Sequence, residues 1–249
     1  MGHFLKKARH AIYRFGSGYY NVLLTLLVLL FVFRPYEHRD LYVGVWKIFF
    51  SAALMMAIFN VHHKKSFKIA ASILAVPAVM FTWVSLFTQG ESVIVGVTIS
   101  NVLFMAVCTS SILRDVIVRA RVTLETLRGV ICAYFLVAAI FTYLYVLIET
   151  VHPGSISVDD KILDIQANPQ YFFSLMAYFS FTTLLTIGYG DILAVRDLSQ
   201  TACILEGIIG QFYIAILVSR LVSVYSFYSN KELLKTLEHD IFKETPHKE

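Results

Sequence analysis

The sequence predicts an all-α membrane protein with six transmembrane helices and one shorter apolar segment that enters the bilayer without crossing it. Three observations carry that expectation. Hydrophobic residues make up 57% of the 249 residues and charged residues 15%; mean hydropathy is +0.68; and apolar runs recur along the chain, separated by short basic or acidic stretches. A soluble domain carries about 25% charged residues, and a helix needs about 20 mostly apolar residues to cross a bilayer.

The runs fall at 18–33, 41–61, 69–88, 93–113, 130–151 and 200–226. A seventh, 171–185, is too short to span, so it is expected to be re-entrant or interfacial. The first run follows Lys6, Lys7, Arg9 and Arg14, as a signal peptide would, but "FVFRPYE" offers no small-residue cleavage site and an uncleaved helix is expected. Cytoplasmic loops carry the excess of Lys and Arg. With the N-terminus inside, that side collects Lys64, Lys65, Lys68, Arg114, Arg119, Arg121, Arg128, Arg220 and the tail lysines, while Arg34, Arg39, Lys161 and Arg196 fall outside. Six crossings with both termini cytoplasmic follow, in a plasma or bacterial inner membrane.

Acids distribute the other way. Glu37, Asp40, Glu91, Glu149, Asp159, Asp160, Asp164, Asp191 and Asp197 fall on the outer side. They read either as a vestibule that concentrates cations or as ordinary loop solubility. Cys108, Cys132 and Cys203 lie in apolar runs and are odd in number, so core positions are expected and no disulfide framework. His62 and His63 adjoin Lys64 and Lys65 without a nearby carboxylate or cysteine, which suits an interfacial basic cluster rather than a metal site.

Between the fifth and sixth runs, Asn168 and Pro169 read as an N-cap and first helical residue. A helix from Pro169 to Leu184 would follow and stop at "TIGYGD", residues 186–191. Irregular backbone at membrane depth survives only inside protein or along a water-filled cavity, so the carbonyls here need a partner other than lipid. Gly188 and Gly190 permit the positive-φ conformations that aim successive carbonyls one way.

"TIGYGD" resembles the selectivity filter of potassium channels, usually T-V-G-Y-G-D, and "AYFSFTTLLTIGYGDI" resembles that family's pore helix and filter. "QTACILEGIIGQFYIAILVSRLVSVYSFYSN" is similar to the inner helix of prokaryotic two-transmembrane potassium channels. With six crossings, the resemblance is to a six-transmembrane member of the voltage-gated-like superfamily. It implies that carbonyls of Thr186, Ile187, Gly188 and Tyr189, with the Thr186 hydroxyl, replace the water around K+; Gly190 and Asp191 complete the filter. K+ is then the permeant ion, with no cofactor, no enzymatic activity and no nucleic-acid partner. One chain carries one such loop and no internal repeat, which implies a homotetramer in the lipid bilayer.

Two positions depart from the family pattern. Leu185 stands where many members have a threonine, making the inner mouth more apolar. Thr182 stands where some carry a glutamate, so support for the filter is expected from Thr183, Tyr178 or Asp191. In the last run, Gly210 aligns with the family's hinge glycine and reads as a hinge or as a packing position, and Gly207 reads as packing. Ala215 and Ser219 share its helical face and would line the cavity or gate. Glu206 is the one carboxylate within this run; buried acids in membranes need partners, and a structural brace behind the filter is expected ahead of a proton sensor.

The expected organisation is a cytoplasmic N-terminus 1–17, a four-helix transmembrane domain 18–113, an interfacial linker 114–129, a pore domain 130–228 and a cytoplasmic tail 229–249 whose Leu233, Leu234, Leu237 and Ile241 form an apolar helical face. A regulatory subunit that keeps the fold without conducting, or a weakly selective cation channel, are the alternatives; the intact G-Y-G argues against both. The fourth run, "ESVIVGVTISNVLFMAVCTSSIL", contains no Lys or Arg, although each gating charge contributes about 2.3 kcal/mol per 100 mV. Open probability measured from −100 to +100 mV (about 200 mV, or roughly two such steps) is therefore expected to vary weakly. A steep curve carrying several gating charges would contradict this reading.

Overall fold

The structure, a computed structural model, describes residues 19–32, 48, 51–52, 55, 65–85, 87–88, 90–118, 124–158, 161–162 and 169–244. The expected second crossing, 41–61, lies almost wholly outside the described residues, as do the 1–17 terminus, His62 and His63, Arg119 and Arg121, Asn168, and the acids Glu37, Asp40, Asp159, Asp160 and Asp164. The described elements run, in order, α1 (Tyr19–Val32), α2 (Lys65–Val84), α3 (Glu91–Val118), α4 (Leu124–Val151), β1 (Ile156–Val158), β2 (Lys161–Ile162), α5 (Pro169–Leu184), β3 (Ile192–Ala194) and α6 (Asp197–Glu244).

Three helices among the described residues are long and apolar enough to cross a membrane: Glu91–Arg114, Thr126–Val151 and Asp197–Ser219. Tyr20–Leu30, Lys68–Val84 and Tyr171–Leu184 are shorter apolar helices. The third expected crossing thus appears as a helix flanked by Lys68, with Pro77 inside it. α3 continues through Arg114 to Val118 and α4 begins at Leu124, so the stretch expected to link them is helical at both ends.

α4 is the element around which the others gather: it touches α1, α3, α5 and α6. Its sequence is apolar around most of its circumference, the pattern of a helix covered on several faces, and 56% of its spanning window is buried against 11% for α6. Tyr20, Leu23, Phe104, Met105, Cys108, Ile112, Cys132, Ala133 and Leu136 form one apolar core among α1, α3 and α4, joined by Ala71, Ala75 and Ala78 of α2. Phe141, Tyr145, Phe172, Met176, Phe179, Leu184 and Ile192 form a second, between α4 and α5. Cys108 and Cys132 are fully buried and all three cysteines are free thiols.

The end of α4 is tied to the chain leaving residue 191 by a small antiparallel sheet, in the order β2-β1-β3. Ile156, Ser157 and Val158 of β1 pair with Ala194, Leu193 and Ile192 of β3. The carbonyl of Ser155 accepts from the Val195 N–H at 2.9 Å and lies 2.7 Å from Ser199 Oγ, which connects the start of α6 to the same point.

Glu149 anchors this corner. Its Oε1 accepts from the Gly154 N–H at 2.7 Å, and its Oε2 from the Ser155 and Ile156 N–H groups, each at 2.8 Å. The turn needs Gly154, at φ 78°. Glu149 is fully buried, so it lies outside any acidic vestibule; spacing along the chain placed it near the outer surface, but the returning backbone covers it. Asp191 and Asp197 are exposed. Replacing Glu149 with alanine strands three buried N–H groups and is expected to cost about 2–4 kcal/mol, read as a lowered unfolding midpoint of the detergent-purified protein. An unchanged midpoint would show that the clamp contributes nothing.

Candidate functional site

α5 runs from Pro169 to Leu184 and its C-terminal end passes directly into residues 185–191. Leu185 N–H still bonds to Phe181 O at 3.0 Å, and Thr186 N–H to Thr183 O at 2.9 Å. The next two N–H groups, of Ile187 and Gly188, both point back to one acceptor, Thr182 O, at 2.8 and 3.2 Å. From there the chain leaves the helix as an irregular strand outside any sheet, residues 186–191, whose carbonyls from Thr186 through Tyr189 receive no hydrogen bond from the described residues.

Backbone handedness alternates along this strand. Thr186, Gly188 and Gly190 have φ of 57°, 56° and 82°, and the residues between them do not share that sign. In an ordinary β-strand successive groups point to opposite faces; alternating left- and right-handed residues instead turn successive peptides the same way. Glycine adopts positive φ freely at 188 and 190. Thr186 is β-branched, for which this conformation is strained, at a cost of about 1–3 kcal/mol.

The sequence-predicted supports separate into those that touch the strand and those that do not. Tyr178 stacks on Tyr189, with ring centroids 6.3 Å apart and planes 1° from parallel. Thr182 and Thr183 act through their carbonyls; the Thr182 hydroxyl lies 3.0 Å from the Tyr178 and Phe179 carbonyls, within its own helix. Asp191 is exposed and makes no hydrogen bond to the described residues. Leu185 is 45%, Ile187 47% and Tyr189 70% exposed, so the strand forms an edge of the single chain.

α6 passes behind this edge. Glu206 is fully buried: Tyr145 OH of α4 donates to its Oε2 at 2.6 Å, and Ser180 Oγ of α5 lies 2.5 Å from its Oε1. Ser180 Oγ is also 2.8 Å from Ala138 O. One carboxylate therefore joins three helices. The sequence indicated that Glu206 needed partners but gave no signal for Tyr145 or Ser180, which are unremarkable residues in apolar surroundings.

Gly210 is buried under the end of α5. A Cβ built there would meet Leu184 O at 2.5 Å, far inside contact distance, whereas one at Gly207 meets nothing within 4 Å. Close approach accounts for glycine at 210, the packing alternative of its two readings, whereas within this chain packing does not account for glycine at 207, where packing is expected. α6 is continuous through both. Leu184 O also accepts from Tyr134 OH at 3.0 Å, and the Tyr134 ring lies 5.2 Å from that of Tyr213, whose hydroxyl donates to Val130 O at 2.5 Å. One residue beyond Gly210, Gln211 Nε2 donates to Thr186 Oγ1 at 3.3 Å. Ala215 and Ser219 are exposed farther along α6.

A short helix that ends in a segment whose carbonyls have no partner among the described residues and whose φ alternates in sign, held between two long apolar helices, is compatible with an ion pathway. Residues 129–227 match the family model described as Ion channel. The matched stretch reaches from α4 through the apolar part of α6 and includes α5, residues 186–191 and the sheet. The match supports a membrane protein that conducts ions, and a channel rather than an enzyme. No curated protein matches the chain, and no solved structure does.

Gly210→Ala is expected to destabilise the domain by about 1–3 kcal/mol through overpacking against Leu184 O, while Gly207→Ala leaves the single-chain fold unchanged. Thermal unfolding of the two purified variants compares them. Equal stability would remove the packing account of Gly210.

Proposed function

We propose that the protein is a potassium-selective channel, a homotetramer whose four re-entrant loops surround one conduction axis. The observation that supports this most directly is the strand 186–191. The N–H groups of Ile187 and Gly188 are tied back to Thr182, the carbonyls of Thr186 through Tyr189 have no partner among the described residues, and φ is positive at alternate residues. Within a bilayer, unpaired carbonyls cost several kcal/mol each, on the order of a lost hydrogen bond or more. A dehydrated cation offsets that cost by accepting them as ligands. K+ is the cation indicated by the resemblance of "TIGYGD" to potassium-channel filters, with ligands from Thr186, Ile187, Gly188 and Tyr189.

Tetramerisation is supported by what a single chain leaves open. Gly188 and Gly190 have nothing within 4 Å of a built Cβ, and α6 exposes Ile204, Leu205, Ile208, Phe212, Ile216 and Val218. One loop encloses no axis; four related by rotation do. The remaining apolar runs complete six crossings with both termini cytoplasmic, and the stretch 92–113 of α3, which carries no charged residue, accords with weak voltage dependence. The alternation of Lys and Arg between the two sides supports that orientation.

Purified protein reconstituted in planar bilayers tests the reading. The reversal potential is expected to follow the potassium gradient at about 59 mV per tenfold change, the one-electron-charge Nernst slope, and to ignore a sodium gradient. Current that follows both ions equally would make it a nonselective cation channel. No current from correctly assembled protein would overturn the channel reading itself.

A further inference from the structure

Gln211 is the polar residue that interrupts the apolar stretch "IIGQFYIAIL" of α6, directly after Gly210. Its position is set by that neighbour: with no Cβ at 210, α6 approaches Leu184 O closely enough to leave room for nothing larger. The Leu184 carbonyl is held in turn by Tyr134 OH at 3.0 Å. Two contacts at the end of α5 therefore fix the height of α6 against the strand, and Gln211 comes level with Thr186, to whose Oγ1 its Nε2 donates at 3.3 Å.

Thr186 is the residue for which such a bond matters. It is the one non-glycine residue with positive φ among the described residues, and a β-branched side chain has few low-energy χ1 states. Its hydroxyl has one proton and two lone pairs. A donor on Oγ1 occupies one lone pair, selects the χ1 state that brings Oγ1 toward α6 and leaves the other lone pair for a cation. The preceding residue cannot substitute, because Leu185 is apolar and exposed. Between residues 185 and 188 the strand itself thus has one side-chain oxygen, Thr186 Oγ1.

We infer that Gln211 is a positioning residue for the Thr186 hydroxyl, and that the Gln211–Thr186 bond sets how strongly the inner end of the strand holds a cation. This rests on the potassium-channel reading above. The inference concerns affinity at one end of the pathway, so the overall preference for K+, which rests on the backbone carbonyls, is unaffected.

The test uses the full-length channel in planar bilayers with barium added on the cytoplasmic side, barium being a divalent cation of nearly potassium's radius. Gln211→Met keeps length and removes the donor. It is expected to weaken barium block at least about fivefold, the scale of a lost hydrogen bond repeated around the assembly, with the potassium reversal potential unchanged. Combined with Thr186→Ala, Gln211→Met has nothing left to position, so block in the double variant should lie within about twofold of Thr186→Ala alone, the non-additivity of a direct pair. Gln211→Asn, which keeps the amide but falls one methylene short, should weaken block in the same direction and serves if the methionine variant fails to assemble.

Wild-type block in Gln211→Met or Gln211→Asn overturns the inference, as does an equal loss in the Thr186→Ala background. Either result from a wild type that conducts K+ leaves the channel reading standing. A wild type that assembles but conducts nothing removes both.

Discussion

The carbonyl of Thr182 receives the N–H groups of both Ile187 and Gly188, and the rest of the domain depends on that pairing. It ends α5 and turns the chain in one step. It also divides the polar groups at the turn unequally: the N–H groups of Thr186, Ile187 and Gly188 bond within the chain, while the carbonyls of Thr186 through Tyr189 receive no bond from the described residues. In water such a surplus would be solvated at once. At membrane depth it persists only where protein or an aqueous path surrounds it, and this requirement makes a short irregular strand chemically informative. The positive φ at Thr186, Gly188 and Gly190 then decides where the surplus points.

A strand held in that way needs fixed ends. The C-terminal end is secured by pairing of β3 with β1 and by the carboxylate of Glu149, which gathers the N–H groups of Gly154, Ser155 and Ile156. The N-terminal end is secured by α6, where the absence of a side chain at Gly210 admits the Leu184 carbonyl at close range and Glu206 links α4 and α5. Both acids are fully buried. Neither contributes to a surface field. Each holds a corner of the framework, and the acidic vestibule expected from the distribution of charge is reduced by one member for that reason.

Much of the site was legible because its signals are local. The short helix from Pro169 to Leu184 has the bounds that its length and flanking residues indicated, and Gly188 and Gly190 have the positive φ expected of them. Tyr178 does contact the strand, by stacking on Tyr189. Other assignments depended on distance through space. Residue 182, where the sequence directs attention to Thr183, Tyr178 or Asp191 instead, holds the strand through its backbone carbonyl, and the glycine at 210 answers to a carbonyl on another helix. Gln211 was visible as a polar residue in an apolar run, but nothing in the spacing connected it to Thr186.

The sequence by itself determined the membrane class, the helical architecture of the described residues and the location of the strand, because hydropathy, run length and tolerance of positive φ belong to single segments. Only the tertiary structure decided which residues hold that strand. Glu206 meets Ser180 and Tyr145 across 26 and 61 positions of chain, and Gln211 meets Thr186 across 25. Those meetings arise from how α4, α5 and α6 cross, and a one-dimensional pattern carries no record of crossing geometry.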